Sequence, residues 1–297
     1  MTDLGLRDMT KCYATSDGTV FDTHKNKTAS REQSQACLSY AEAQRLFFVE
    51  NKNKKNCKMR EDRLYELIRE KENIASIAFP ALMRKVYVWM TLALILTGFT
   101  AYGVAASPGI ITALMTNRML FIGLIIAEFA LVWSISARIN RMSLTTATML
   151  FVLYSVLNGA MLSSIFLVYS MGSIASVFFI TAGTFAAMAA IGYFTKTDLT
   201  PLGKLLFMAL IGLIIATLVN VFLVKSGSFH LILSYVGVLI FVGLTAYDSQ
   251  KIKKMLVMAD DVDEEAQKIA LLGSLTLYLD FINLFIYLLR IFGNSRE

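Results

Sequence analysis

The sequence predicts an all-α polytopic membrane protein with seven transmembrane helices. Three observations carry the class. The 297-residue chain is 56% hydrophobic and 17% charged, whereas a soluble domain carries roughly 25% charged residues. Charge is crowded at one end: residues 1–85 hold 16 of the 28 Lys and Arg and 12 of the 22 Asp and Glu. The rest of the chain holds seven apolar stretches, each near the roughly 20 residues that cross a bilayer.

Residues 1–58 read as a polar N-terminal extension without ordered structure. Asp3, Arg7, Asp8 and Lys11 leave no apolar run for a cleavable signal peptide at its start. Cys12, Cys37 and Cys57 all lie in this extension at irregular spacings, so they suggest neither a metal-ligand pattern nor a disulfide framework. His24 and His230 are too few and too far apart for a histidine metal site. Residues 59–85 follow as a juxtamembrane segment, in which Leu64, Leu67 and Ile68 alternate with charges as in a short amphipathic helix on the membrane surface.

The membrane domain spans 86–293, with helices expected at 86–107, 119–137, 143–170, 173–195, 205–224, 229–248 and 268–291. The breaks carry turn or charge signals: Pro108-Gly109 with Asn117-Arg118, Arg138 to Arg141, Met171-Gly172, Lys196 to Lys204, Lys225 to Ser228, and Gln250 to Gln267. Pro80, Pro108 and Pro201 fall outside the expected spans, which argues against the broken helices of many secondary transporters. Orientation follows from basic residues near the span ends. With the N-terminus cytoplasmic, ten Lys and Arg flank the inner side and four the outer. The same bias accounts for the net charge of +6 without nucleic acid as a partner.

Three acids stand where a bilayer penalises charge by at least about 2.5–3.5 kcal/mol at a helix centre. Glu128 lies mid-way along the second span, Asp280 about twelve residues into the seventh, and Asp248 at the expected end of the sixth. Thr276, Asp280, Asn283 and Tyr287 recur at helical spacing, so one stripe of the seventh helix is polar and must face protein or water. Gly273 would allow another helix close to it, which makes the seventh helix central. Ser234, Gly237, Thr245 and Asp248 form a similar small-polar face on the sixth.

Two aspartates on adjacent helices can share one proton. Such a pair supports cation ligation, proton sensing or aspartyl hydrolysis, and the spacing leaves all three open. Hard cations such as calcium take carboxylate and carbonyl oxygens, and Asn283 with nearby Tyr side chains would add donors of that type. An arginine from the inner end of the second helix, Arg138 or Arg141, can instead pair with one carboxylate and latch the bundle shut.

The segments VGLTAYDSQKIKKM (242–255) and GSLTLYLDFINLFIYLLRIFG (273–293) resemble the signature of the Bax inhibitor family, the transmembrane Bax-inhibitor-motif proteins. A mid-span Glu in helix two with a basic inner end, and Asn220 in helix five, also fit. The resemblance covers roughly residues 80–293. It implies two inverted halves around a central helix, and a pH-sensitive calcium leak governed by Asp248 and Asp280, with calcium and protons as partners. It further implies Arg138 as the gating latch and Glu128 as part of the ion path, to which the polar stripe of helix seven adds Asn283 and Tyr287. The long extension and the acidic run Asp260 to Glu265 depart from the family pattern; that run reads as a solvated turn.

Two rivals remain. An intramembrane aspartyl protease needs Gly-x-Gly-Asp at its second aspartate and a later Pro-Ala-Leu. Here the motif is Tyr278-Leu279-Asp280, and Pro80-Ala81-Leu82 precedes the first span. A proton-coupled solute transporter is the other alternative. A retinal receptor needs a lysine inside helix seven, and Lys268 lies only at its start. The expectation is a non-enzymatic channel of a bacterial inner (plasma) membrane.

Overall fold

The computed structural model describes residues 12–14, 20–22, 63, 66, 69, 78–257 and 263–294. The chain divides into two units, 1–71 and 72–297. In the first, strands β1 (Cys12–Ala14) and β2 (Val20–Asp22) pair antiparallel, with Tyr13 opposite Phe21. This short pair lies within the extension expected to be without order. Arg63, Glu66 and Arg69 are helical and exposed. Leu64, Leu67 and Ile68, on which the amphipathic expectation rests, lie outside the described residues.

The described residues of the second unit form helices joined by short turns. Its helices are α1 (Ala78–Ala105), α2 (Pro108–Thr116), α3 (Arg118–Arg138), α4 (Leu144–Leu162), α5 (Ile165–Val168), α6 (Met171–Phe194), α7 (Thr200–Val219), α8 (Gly227–Val257) and α9 (Glu264–Phe292). Seven stretches are long and apolar enough to cross a membrane, counting α4 with α5, α3 with its closing 3-10 turn (Ile139–Arg141), and α7 with a π-turn (Asn220–Val224). Spans one to three and four to six are each three crossings, so the two halves run in opposite senses.

Local chemistry sets the ends. Ser143, Ser170 and Asp263 cap α4, α6 and α9 by accepting hydrogen bonds from backbone N–H groups three residues on. Pro108 and Pro201 sit in first turns, where the missing N–H is harmless. The stretch after Pro108, expected as a break between spans, is therefore the short helix α2. The sixth span also runs past its expected end at 248 to Val257, so Asp248 stands inside a helix instead of closing one.

Helix α9 is the core. Of its most apolar stretch 67% is buried, against 6–44% in the other spans. Fully buried Tyr278 joins three helices: its hydroxyl lies 2.7 Å from Thr97 Oγ1 of α1, which donates to the Ser155 carbonyl of α4 at 3.0 Å. The Tyr278 ring meets Phe151 and Tyr154 of α4 edge-on, at 5.9 and 5.8 Å. Gly273 receives Ile252 of α8, where an added Cβ would stand 3.1 Å from the isoleucine side chain.

The end of α8 is tied to α6 and the α6–α7 loop. Ser249 Oγ donates to the Ala189 carbonyl and Lys253 Nζ to that of Tyr193. Gln250 Nε2 donates to the Thr195 and Thr197 carbonyls, while its Oε1 accepts from Leu199 N–H. Lys254 pairs with Asp198 at 2.5 Å. This ion pair, with Thr200 bonding the same carboxylate, holds Asp198 down at about 2. At Gly192 the backbones of α6 and α8 meet so closely that a Cβ would strike the Ala246 carbonyl.

Candidate functional site

A cavity of about 1110 Å³ lies between α3, α4, α7, α8 and α9. Its acids are Glu128 from α3, Asp248 from α8 and Asp280 from α9. Asp248 and Asp280 come from neighbouring helices, and their carboxyl groups are close enough to interact. Two carboxyl groups can share a hydrogen bond only when one of them carries a proton. Asp280 is 5% exposed, and its Oδ2 is buried without a hydrogen-bond partner.

The polar stripe of α9 lies along this wall: Thr276, Asp280, Asn283 and Tyr287 all line the cavity. Asn283 Nδ2 donates to the Leu279 carbonyl, the bond that a polar residue makes within its own helix. Tyr287 stacks on Phe241 at 5.8 Å and packs over Gly237, with Arg290 5.4 Å from its ring. On the opposite wall Asn158 Nδ2 donates to Tyr154 Oη at 3.4 Å, and Asn158 Oδ1 and Glu128 Oε1 are buried without partners. At the α7 wall, Gly203 leaves room for the Tyr247 ring, which a Cβ would approach to 2.5 Å.

Of the residues singled out from sequence, Glu128, Asp248, Asp280, Asn283 and Tyr287 line the one cavity. Arg138 does not. It is exposed at the end of α3, so the expected latch is not brought to the aspartates, and the lysines on the cavity are Lys204 and Lys251. The small-polar face of α8 is also divided, since Ser234 and Thr245 spend their hydroxyls on the carbonyls of His230 and Phe241 in their own helix. In the acidic run, Asp260 to Val262 lie outside the described residues. Asp263 caps α9, and Glu264 accepts from Leu144 N–H and pairs with Lys268 at 3.0 Å.

Tyr154, Asn158, Lys204 and Lys251 were not anticipated. Asn158 carried a readable signal, a carboxamide in the middle of an apolar span, where hydrocarbon offers it no partner. The two lysines carried none, because charges near span ends are ordinary. Among the described residues no three His, Cys, Asp or Glu side chains stand together as a metal site.

Seven spans around a buried helix, with carboxyl groups converging on a cavity between them, define a polytopic integral membrane protein with an intramembrane acidic site. The sequence profile described as "Inhibitor of apoptosis-promoting Bax1" matches residues 80–297, and the chain belongs to that family, the Bax inhibitor family. It is 54% identical to the inner membrane protein YbhL of Escherichia coli (strain K12) over 215 residues, 72% of this chain and 92% of that protein. It is 46% identical to a protein of Borreliella burgdorferi over 234 residues, 79% of this chain and all of the relative. A Rickettsia prowazekii protein is 44% identical over 216 residues, 72% and 90% of the two chains.

Proposed function

We propose that this protein is a pH-sensitive cation leak, with calcium as its ion, governed by Asp248 and Asp280. The single observation that carries the reading is the pair itself: two carboxyl groups from different helices, close enough to interact, on a cavity inside the bundle. While they share a proton, the hydrogen bond ties α8 to α9. When it leaves, two carboxylates face each other where the dielectric is low, and they either part or take a divalent cation between them. Protons and calcium therefore compete. The other titratable or charged groups on the same cavity are Glu128, Lys204, Lys251, Tyr154, Tyr247 and Tyr287, and Lys251 lies one turn beyond Asp248.

Two statements extend the family assignment. The membrane is a bacterial inner membrane with the N-terminus cytoplasmic, supported by the distribution of Lys and Arg and by the inner-membrane relative. The activity is transport and not hydrolysis, since Asp280 lacks the glycines that precede the second aspartate of intramembrane proteases. The size of the cavity favours a second reading, a proton-coupled solute transporter, because small-molecule sites run from about 300 to 1,000 Å³.

Calcium flux into proteoliposomes, followed from about pH 5 to 8, tests the leak. Flux should rise with pH in the native protein. Asp280→Asn should remove that dependence, because an amide bonds to Asp248 without needing a proton. An unchanged flux–pH curve in the variant would end the paired-aspartate reading, and no calcium flux at any pH would shift the weight to a solute transporter.

A further inference from the structure

The three buried side-chain oxygens and nitrogens without hydrogen-bond partners among the described residues are Glu128 Oε1, Asn158 Oδ1 and Asp280 Oδ2. All three belong to residues lining the one cavity. All three are acceptors, two from carboxyl groups and one from an amide. Asp280 and Asn158 are themselves more than nine-tenths buried. A buried acceptor left without a donor is costly, so the arrangement calls for an occupant that brings donors.

The remaining walls specify the rest of that occupant. Phe129, Tyr154, Phe207, Phe241, Tyr247 and Tyr287 place aromatic rings around the space. Phe129, Phe207 and Met208 are at once cavity-lining and exposed on the apolar outer surface of α3 and α7, so the cavity opens sideways toward lipid. Its 1110 Å³ would hold tens of water molecules at about 30 Å³ each, far beyond the needs of a bare ion. The cationic side chains Lys204 and Lys251 are exposed and belong to the same end of the bundle, near the start of α7 and the end of α8.

We propose that this cavity is a binding site for a lipophilic amine, a protonated alkyl- or arylalkylammonium that enters from the bilayer between α3 and α7. Its N–H groups donate to the side-chain oxygens of Glu128, Asn158 and Asp280, which turn from their enclosed positions into the cavity to meet it. Its charge is balanced by the carboxylates, and its apolar body lies among the rings, which attract cations through their faces. The inference rests on the cavity and its acceptors and not on calcium flux. A chain that leaks calcium without binding the amine would overturn it, and one that binds the amine without leaking calcium would keep it.

The test uses the full chain in lipid nanodiscs, with radiolabelled 4-phenylbutylamine as probe and 4-phenylbutan-1-ol as its neutral counterpart, each with empty nanodiscs subtracted. Saturable binding of about one amine per chain is expected, with the alcohol at least tenfold weaker. Asp280→Asn and Glu128→Gln should each weaken amine binding at least tenfold while leaving the alcohol unchanged. If Asp280→Asn does not reconstitute, Glu128→Gln and the amine–alcohol ratio decide. Equal binding of amine and alcohol would show apolar partitioning only. Non-saturable uptake, or native affinity in the variants, would mean that the oxygens are met by water, and would likewise overturn the site.

Discussion

Helices α3 and α9 have nearly the same mean hydropathy, 2.1 and 1.9 in their most apolar stretches, yet 6% of the one and 67% of the other is buried. Helix α3 buries a single residue, Ile135, while α9 buries fifteen. Hydropathy records that a segment can cross a bilayer; it is silent on whether lipid or protein lies against it. What separates the two is polarity at helical spacing. Helix α9 carries Thr276, Asp280, Asn283 and Tyr287 on one side, which only protein or water can satisfy, whereas α3 carries the single acid Glu128. One side of the cavity is thus built on a helix fixed by packing and the other on a helix that mostly faces outward.

The widest gap between the two should appear in stability. Tyr278→Ala removes a fully buried ring and its bond to Thr97, and should destabilise the folded protein by about 3–5 kcal/mol. Phe129→Ala on exposed α3 should change it by no more than about 0.5 kcal/mol. Thermal unfolding in nanodiscs measures both, and equal losses would erase the distinction. Next in size, Gly192→Ala forces a methyl group into the Ala246 carbonyl and should destabilise by about 1–3 kcal/mol. Gly183→Ala on the same helix has nothing within 4 Å of the new methyl and should be close to neutral.

Glu128→Gln sharpens the comparison from the other side. Stability should stay within about 0.5 kcal/mol, while calcium flux falls several-fold, because α3 contributes function without contributing core. Flux unchanged from the native protein would remove Glu128 from the ion path. The smallest effect belongs to Lys254→Ala. The pair depresses Asp198, so its contribution is present above the ordinary carboxylate range near pH 4 and fades as pH falls through about 2. Both partners are about half exposed, so the unfolding temperature between pH 5 and 8 should not move measurably.

Much of this architecture was legible because lipid imposes simple rules. Seven spans follow from runs of apolar residues, the central helix from its polar stripe, and Glu128, Asp248 and Asp280 from charge where none is tolerated cheaply. What stayed hidden depends on which helices meet. Gln250 read as the beginning of a loop, yet its amide closes three bonds across the α6–α7 turn and α8 continues past it. Thr97, Ser155 and Tyr278 look like ordinary residues of apolar spans until three helices bring them together. Arg138 looked well placed as a latch because the inner ends of helices two and six share a side. A shared side does not fix contact, and the side chain is exposed and does not line the cavity.

The fastenings of α8 have a mechanical consequence. Ser249, Gln250, Lys253 and Lys254 clamp it to the end of α6 and to the intervening loop within a few residues of Asp248. These parts form one strut. A push on the Asp248 carboxyl is then borne by the whole strut at once, with little give at the aspartate itself. On the far side of the cavity, α3 shows no comparable side-chain ties among the described residues. Under the proposed mechanism, strain between the aspartates would meet a stiff wall at α8 and less resistance at the little-buried α3.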